Sequence, residues 1–239
     1  GMDVSVVHPS NTLMNQQLDQ AASDLMLAEL QVKGMHFLMN HDTAELVGNE
    51  RVEKIRFKDG SELDADLVVM AVGVRPNIKL AQDSGIACER GVLVDDTLKT
   101  YSDNIYAVGE CVQYRNETFG LVAPLYEQAK VCAKQLAHVG GSKYLSSVTA
   151  TKLKVTGINL FSAGDFIGDN ESEVLIYQDT SRHIYKKIVL KENKIIGTVL
   201  YGDTTDGNWY FSLLSDEKDI SGIREDILFG QHQVDEDLC

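Results

Sequence analysis

The sequence predicts an α/β fold containing a β-meander, followed by a small α+β domain. Three observations carry this prediction. A valine-rich segment, an apolar segment of helical period and a second short apolar segment follow one another before Asn40, the pattern of a βαβ unit. Two unbroken apolar runs, "DLVVMAVG" and "NIYAVGE", each reach a glycine, as strands covered on both faces do. After Gly140-Gly141 the texture changes to alternating strands and then to helices.

The elements follow in order. "MDVSVVH" is a strand, and "PSNT" is a loop. Helix residues Leu18, Ala21, Ala22, Leu25, Ala28 and Val32 recur at helical spacing, with Gly34 as the stop. "MHFLM" is the returning strand. "TAELV", "RVEKIRF" and "ELDADLVVMAVG" are joined by the turn pairs Gly48-Asn49 and Asp59-Gly60, which makes them a meander. Its last strand re-enters the sheet at Asp66 to Val72. "PNIKLAQDSG" is a short helix after Pro76, "GVLVDDTLKT" a strand and turn, and "NIYAVGE" a buried strand. "VAPLYEQAKVCAKQLAHVGG" is a helix, with Pro124 in its first turn and Gly140-Gly141 at its end. "TKLKVTGINLFSAGDF", "EVLIYQD", "RHIYKKIVLKE" and "KIIGTVLYGD" are strands, with "KENK" a hairpin tip. "NWYFSLLSDE" and "REDILF" are helical, and the acidic tail "QHQVDEDLC" is mobile.

The bulk composition narrows the function. A chain of 239 residues suits one large domain or two small ones. Its net charge of −14 opposes nonspecific nucleic-acid binding and attraction to an anionic membrane. It leaves a nucleotide cofactor open, since a few backbone N–H groups hold a pyrophosphate. No apolar run has the length of a membrane span, and the first residues show no signal-peptide pattern. Cys88, Cys111, Cys132 and Cys239 have no paired spacing, and the histidines include no i, i+4 pair. Neither a disulfide framework nor a metal site is expected, and a reduced cytoplasmic setting fits.

Three strand ends are candidates for chemistry: Val7-His8, Val72-Gly73 and Gly109-Glu110. In doubly wound sheets, ligands sit beyond the carboxyl ends of the strands. A glycine there lets a ligand approach the backbone, and a carboxylate accepts hydrogen bonds from sugar-like hydroxyls. The plainer alternative is a turn glycine beside a solvated glutamate. Tyr185, Tyr201, Trp209 and Tyr210 read as core or interface of the small domain.

The order of the pieces resembles the pyridine nucleotide–disulfide oxidoreductase family, flavoproteins of two Rossmann-like dinucleotide-binding domains. In that family "T-x4-IYA-GD" closes the FAD site. Here Thr100 and Ile105-Tyr106-Ala107-Val108-Gly109 match, and Glu110 stands for the usual aspartate. The resemblance implies that Glu110 accepts a hydroxyl of the ribityl chain. It places the backbone of Val122, Ala123 and Leu125, at the start of the next helix, near the flavin ring, where N–H groups stabilise negative charge. It puts Gly73 where the two dinucleotide domains meet. Within the family, "VVMAVGVRPN", "RGVLVDDTLKT" and "TKLKVTGINLFSAGDF" look like the large subunits of NAD(P)H-dependent nitrite reductases; the last lies outside the shared flavoprotein core. Rubredoxin-reductase-like proteins share the "AVGEC" style.

On this resemblance, residues 1–72 are part of an NAD(P)-binding domain with its meander, and 73–141 are the C-terminal part of an FAD-binding domain. Residues 142–230 are the small α+β domain and 231–239 a tail. The sequence departs from the family in having no G-x-G-x-x-G for either dinucleotide. It is thus expected to be an incomplete two-dinucleotide-domain flavoprotein, whose partners are missing N-terminal and C-terminal parts of a parent chain and a second copy in a homodimer. FAD and NAD(P)H are expected in the parent, and the isolated chain is expected to hold FAD weakly or not at all. His8 sits where an acidic residue selects NAD; it either tolerates a 2′-phosphate or is a surface histidine. Cys111 lacks a C-x-x-C partner and reads as a small packed residue. Cys239 is either a first iron–sulfur ligand of a longer chain or a terminal residue without a role. The flavin does the chemistry in such enzymes, so no catalytic acid, base or nucleophile is assigned. Two other readings stand: a reductase feeding rubredoxin or a ferredoxin, and a cofactor-free remnant that only folds or dimerises.

Overall fold

A computed structural model describes residues 1–145 and 148–237. In chain order the elements are β1 (Ser5–His8), α1 (Gln20–Val32), β2 (His36–Met39), β3 (Thr43–Gly48), β4 (Val52–Phe57) and β5 (Glu62–Asp64). Next come α2 (Lys79–Asp83), β6 (Val92–Val94), β7 (Val112–Tyr114), β8 (Glu117–Thr118) and α3 (Val122–Leu136). The last are β9 (Ala150–Val155), β10 (Ile158–Gly164), β11 (Glu173–Asp179), β12 (Ile184–Lys191), β13 (Lys194–Tyr201), α4 (Gly207–Ser215) and α5 (Gln231–Asp237). They divide into two units, Gly1–Val68 with Val148–Cys239, and Val69–Ser147.

In the first unit, β1 pairs in parallel with β2 and α1 forms the crossover, as the βαβ pattern requires. The meander is present as the antiparallel sheet β3-β4-β5. Asp59 accepts from the amide and hydroxyl of Ser61, and Gly60 takes the left-handed conformation that closes the turn. β9 to β13 form one antiparallel sheet in the order β11-β12-β13-β10-β9. The "KENK" tip turns through Glu192 and Asn193, both at positive φ, which is a two-residue hairpin turn.

Alternation along these strands sends Leu160, Tyr185, Val199 and Tyr201 to one face and Phe161, Ile188 and Leu200 to the other. The first face buries α1 through Ala22, Met26 and Leu30. The second buries α4 through Tyr210, Leu213 and Leu214. Residues 1–39, read from sequence with the first domain, therefore share a hydrophobic core with the small α+β domain. The α1 stripe is also rotated from the expected one: Ala21 and Ala28 are exposed and Val32 is 89% exposed. The observed register buries Ser23, whose hydroxyl accepts from the Leu13 amide at 2.7 Å. The tail is helical rather than free at its start: α5 spans Gln231–Asp237 and Val234 is buried. Cys239 lies outside the described residues.

In the second unit, β6 pairs in parallel with β7, and β8 pairs antiparallel with β7. Val94, Leu98, Val112, Tyr114, Cys132 and Tyr144 form its core. Tyr114 donates to Asp96 and to the Tyr144 carbonyl, and the two tyrosine rings meet edge to face at 5.1 Å. The two apolar runs that head the sequence argument are not ladder strands. Residues 65–78 have no strand, and Val72 is 91% exposed. "NIYAVGE" makes one bridge, Lys99 to Tyr106, with Ile105 and Val108 exposed. A parallel strand is buried only when strands flank it, and among the described residues no strand pairs with residues 65–78, of which Ala65 makes a single backbone hydrogen bond to Glu53. Helix α3 stops at His138 in the left-handed conformation, just before the Gly-Gly pair credited with its end.

Candidate functional site

The site in the second unit starts from a brace. Thr100 is buried, and its hydroxyl donates to the Ile105 carbonyl at 3.0 Å and accepts from the Ser102 amide at 3.2 Å. The Thr100 amide donates to the same Ile105 carbonyl at 2.9 Å, and the Ala107 amide donates to the Leu98 carbonyl at 3.1 Å. The five-residue spacing between Thr100 and Ile105 is thus a closed loop that delivers Ala107-Val108-Gly109. Gly109 sits at φ +103, a conformation that side chains disfavour, with nothing within 4 Å of a built Cβ. Its carbonyl accepts from Val112 and its amide donates to Gln128 Oε1 at 2.9 Å.

Glu110 emerges from this turn exposed, making no hydrogen bond or ion pair with the described residues. It lines a cleft of about 250 Å³ with Arg75, Asn77, Cys111, Phe119 and Gly120 among others. Gly73 is exposed at φ +82, one residue before the lining residue Val74. Val122, Ala123 and Leu125 open α3 two residues beyond Gly120. Leu121, at the N-cap, gives no side-chain hydrogen bond, so the N–H groups of the first turn stay available. Cys111 lies in this cleft with its thiol pushed up by burial, which keeps it protonated and unsuited to thiolate chemistry.

The fold therefore brings Glu110 to one cleft with the residues flanking Gly73 and α3. His8 belongs to the other unit: it ends β1, half-buried, with Nδ1 3.2 Å from both the amide and the hydroxyl of Ser10. Two residues of the cleft region escaped the sequence reading. Arg75 lines the cleft and makes no ion pair with the described residues. Gln128 holds Gly109; the signal was a glutamine on the buried stripe of α3, one turn before Cys132. No group of three or more His, Cys, Asp or Glu among the described residues could hold a metal ion. An exposed carboxylate, a free guanidinium, an open glycine and an uncapped helix start together suit a ligand carrying both hydroxyls and negative charge.

The chain matches the pyridine nucleotide-disulphide oxidoreductase family over residues 1–135, and the C-terminal domain of rubredoxin NAD+ reductase over residues 150–218. It is 51% identical over 221 residues to a nitrite reductase [NAD(P)H] of Bacillus subtilis (strain 168), covering 92% of this chain and 28% of that protein. It is 42% identical over 228 residues to the assimilatory nitrate reductase electron transfer subunit of the same organism, covering 95% of this chain and 30% of that one. The chain thus spans less than a third of the length of either relative. The fold is that of an FAD-dependent pyridine nucleotide-disulphide oxidoreductase from Desulfovibrio vulgaris, with a TM-score of 0.76 at 20% identity over 100% of this chain and 66% of that one.

Proposed function

Because the chain belongs to the pyridine nucleotide-disulphide oxidoreductase family, we propose that it is part of the flavin-reductase portion of an NAD(P)H-dependent nitrite reductase. Its parent passes electrons from NAD(P)H through FAD to downstream centres. The observation that carries this reading is the 51% identity to a nitrite reductase, which runs across both units. In this reading, residues 1–72 belong to the NAD(P)-binding domain, 73–141 to the FAD-binding domain and 142–230 to the small C-terminal domain. The parent is a cytoplasmic homodimer.

Bound FAD would supply the redox chemistry, taking hydride from the nicotinamide and passing electrons on singly. The chain's own residues bind and orient. Glu110, which lines the cleft, would accept a hydrogen bond from a ribityl hydroxyl. The first turn of α3, at Val122, Ala123 and Leu125, offers N–H groups and the positive helix end to negative charge on the ring. Gly73, at positive φ, would leave its own backbone open to the ligand. His8, at the end of β1, would stand beside the adenosine ribose of bound NAD(P)H. It offers a ring nitrogen where a carboxylate would repel a 2′-phosphate.

The complete protein tests the reading. It is expected to purify yellow with one FAD per chain and to oxidise NAD(P)H with nitrite as acceptor. A colourless protein, or one that reduces rubredoxin or ferredoxin and not nitrite, overturns it. The 239 residues alone are expected to hold FAD weakly; a stoichiometric flavin spectrum from them contradicts that expectation. His8→Asp is expected to shift the kcat/KM ratio toward NADH by about tenfold or more. An unchanged ratio removes His8 from the site.

A further inference from the structure

We propose that Gln128 is a positioning residue for the flavin site: its side-chain carbonyl fixes the Gly109 amide and thereby sets where Glu110 stands. The proposal rests on the reading of the Glu110 cleft as part of an FAD site. Gln128 lies fully buried in the middle of α3, most of whose surface is exposed. A buried carboxamide is costly unless both of its ends are hydrogen-bonded. Only one end is fully satisfied. Oε1 accepts from Gly109 at 2.9 Å, while Nε2 completes no hydrogen bond among the described residues and has the Tyr144 hydroxyl as its polar neighbour. A leucine or methionine would fill this slot on the stripe with Cys132 at lower cost. The one complete hydrogen bond of this buried side chain is therefore the one to the Gly109 amide.

That amide needs holding. Gly109 lies in the left-handed region with open space around its Cα, so side-chain packing does not fix it. Its carbonyl is tied to Val112 and its amide to Gln128. With both peptide groups fixed, the direction in which the backbone enters Glu110 is set. Gln128 is also on the helix whose first turn faces the same ligand, about 9 Å along the axis from Val122. One side chain thus couples the hydroxyl acceptor to the helix start, so that the two contact a single ligand at a set spacing.

The test uses the complete protein stripped of FAD, with the FAD dissociation constant read from quenching of flavin fluorescence. Gln128→Met keeps the length and removes both amide groups. Gln128→Glu, in its neutral form, keeps an oxygen that can accept from Gly109 and loses the nitrogen. Gln128→Met is expected to weaken FAD binding about tenfold, and Gln128→Glu to stay within about threefold of the parent. In a Glu110→Ala background, Gln128→Met is expected to add nothing, since its effect passes through Glu110. The proposal is overturned by an unchanged constant in Gln128→Met, or by losses that multiply in the double variant. If Gln128→Met does not fold, Gln128→Glu decides: binding within about threefold supports the proposal, and a loss as large as that of Glu110→Ala overturns it. A complete protein that binds no FAD, or a Glu110→Ala variant that binds it unchanged, overturns the reading of the cleft itself and the proposal with it.

Discussion

Tyr185 and Tyr201 stand opposite each other on β12 and β13, and each reaches from the sheet to a carboxylate at the N-cap of α1 or on α1 itself. Tyr185 donates to Asp19 and Tyr201 to Glu29, both at 2.7 Å. Burial pushes both phenols well above the ordinary tyrosine range, and the adjacent carboxylates push them further. Asp19 also caps α1 through the Ala22 amide and pairs with the nearly buried Lys187 at 3.2 Å. Asp19→Ala is therefore expected to cost about 3 kcal/mol, because it removes a cap and leaves a buried ammonium alone. Tyr185→Phe is expected to cost about 2 kcal/mol, since Lys187 still neutralises Asp19. Urea unfolding followed by circular dichroism measures both, and equal costs would contradict the ranking. From sequence these tyrosines read as core or interface; their carboxylate partners, more than 160 residues away in the chain, left no local sign.

At the scale of elements, the alternating strands and the "KENK" tip of the small domain were the most legible, although the run read as one segment from Thr151 to Phe166 is two strands, β9 and β10, joined at Thr156-Gly157. Alternation and a two-residue turn are local properties, and β9 to β13 follow them. Close approaches between strands were less legible. Gly197 on β13 lies against the chain leaving β10, and a Cβ there would stand 2.1 Å from the Asp165 carbonyl oxygen. Gly197→Ala is expected to cost about 2 kcal/mol or more in the same unfolding measurement. The loop between β10 and β11 carries a pH-sensitive link. Lys191 and Ser172 hold the Asp169 carboxyl down to about 2, against an ordinary 3.8. A carboxyl lowered on folding contributes stability that is complete above about pH 4 and is lost as the pH falls through about 2. Asp169→Asn is expected to flatten the fall in melting temperature across that window, and parallel curves for variant and parent would refute the link.

For the whole molecule, the apolar periodicity of residues 18–32 required a partner but did not say which. The structure supplies the sheet formed after Val148, so residues 1–68 and 148–239 share one unit. A chain ending at residue 147 is expected to leave Met26, Leu30 and their neighbours uncovered. Limited proteolysis should then cut within α1, whereas the 239-residue chain resists there. Resistance of the shorter chain would show that residues 1–68 find another cover. No helix of the described residues is long and apolar enough to cross a membrane.

The sequence by itself determined the βαβ start, the meander and the alternating strands of the small domain. Each rests on periodicity or turn chemistry contained within a few residues. Only the tertiary structure decided which face of α1 is buried, that residues 67–74 stay unpaired, and that Gln128 holds Gly109. These depend on groups brought together from distant parts of the chain. An apolar run states that it needs cover, and the rest of the fold determines whether it receives it.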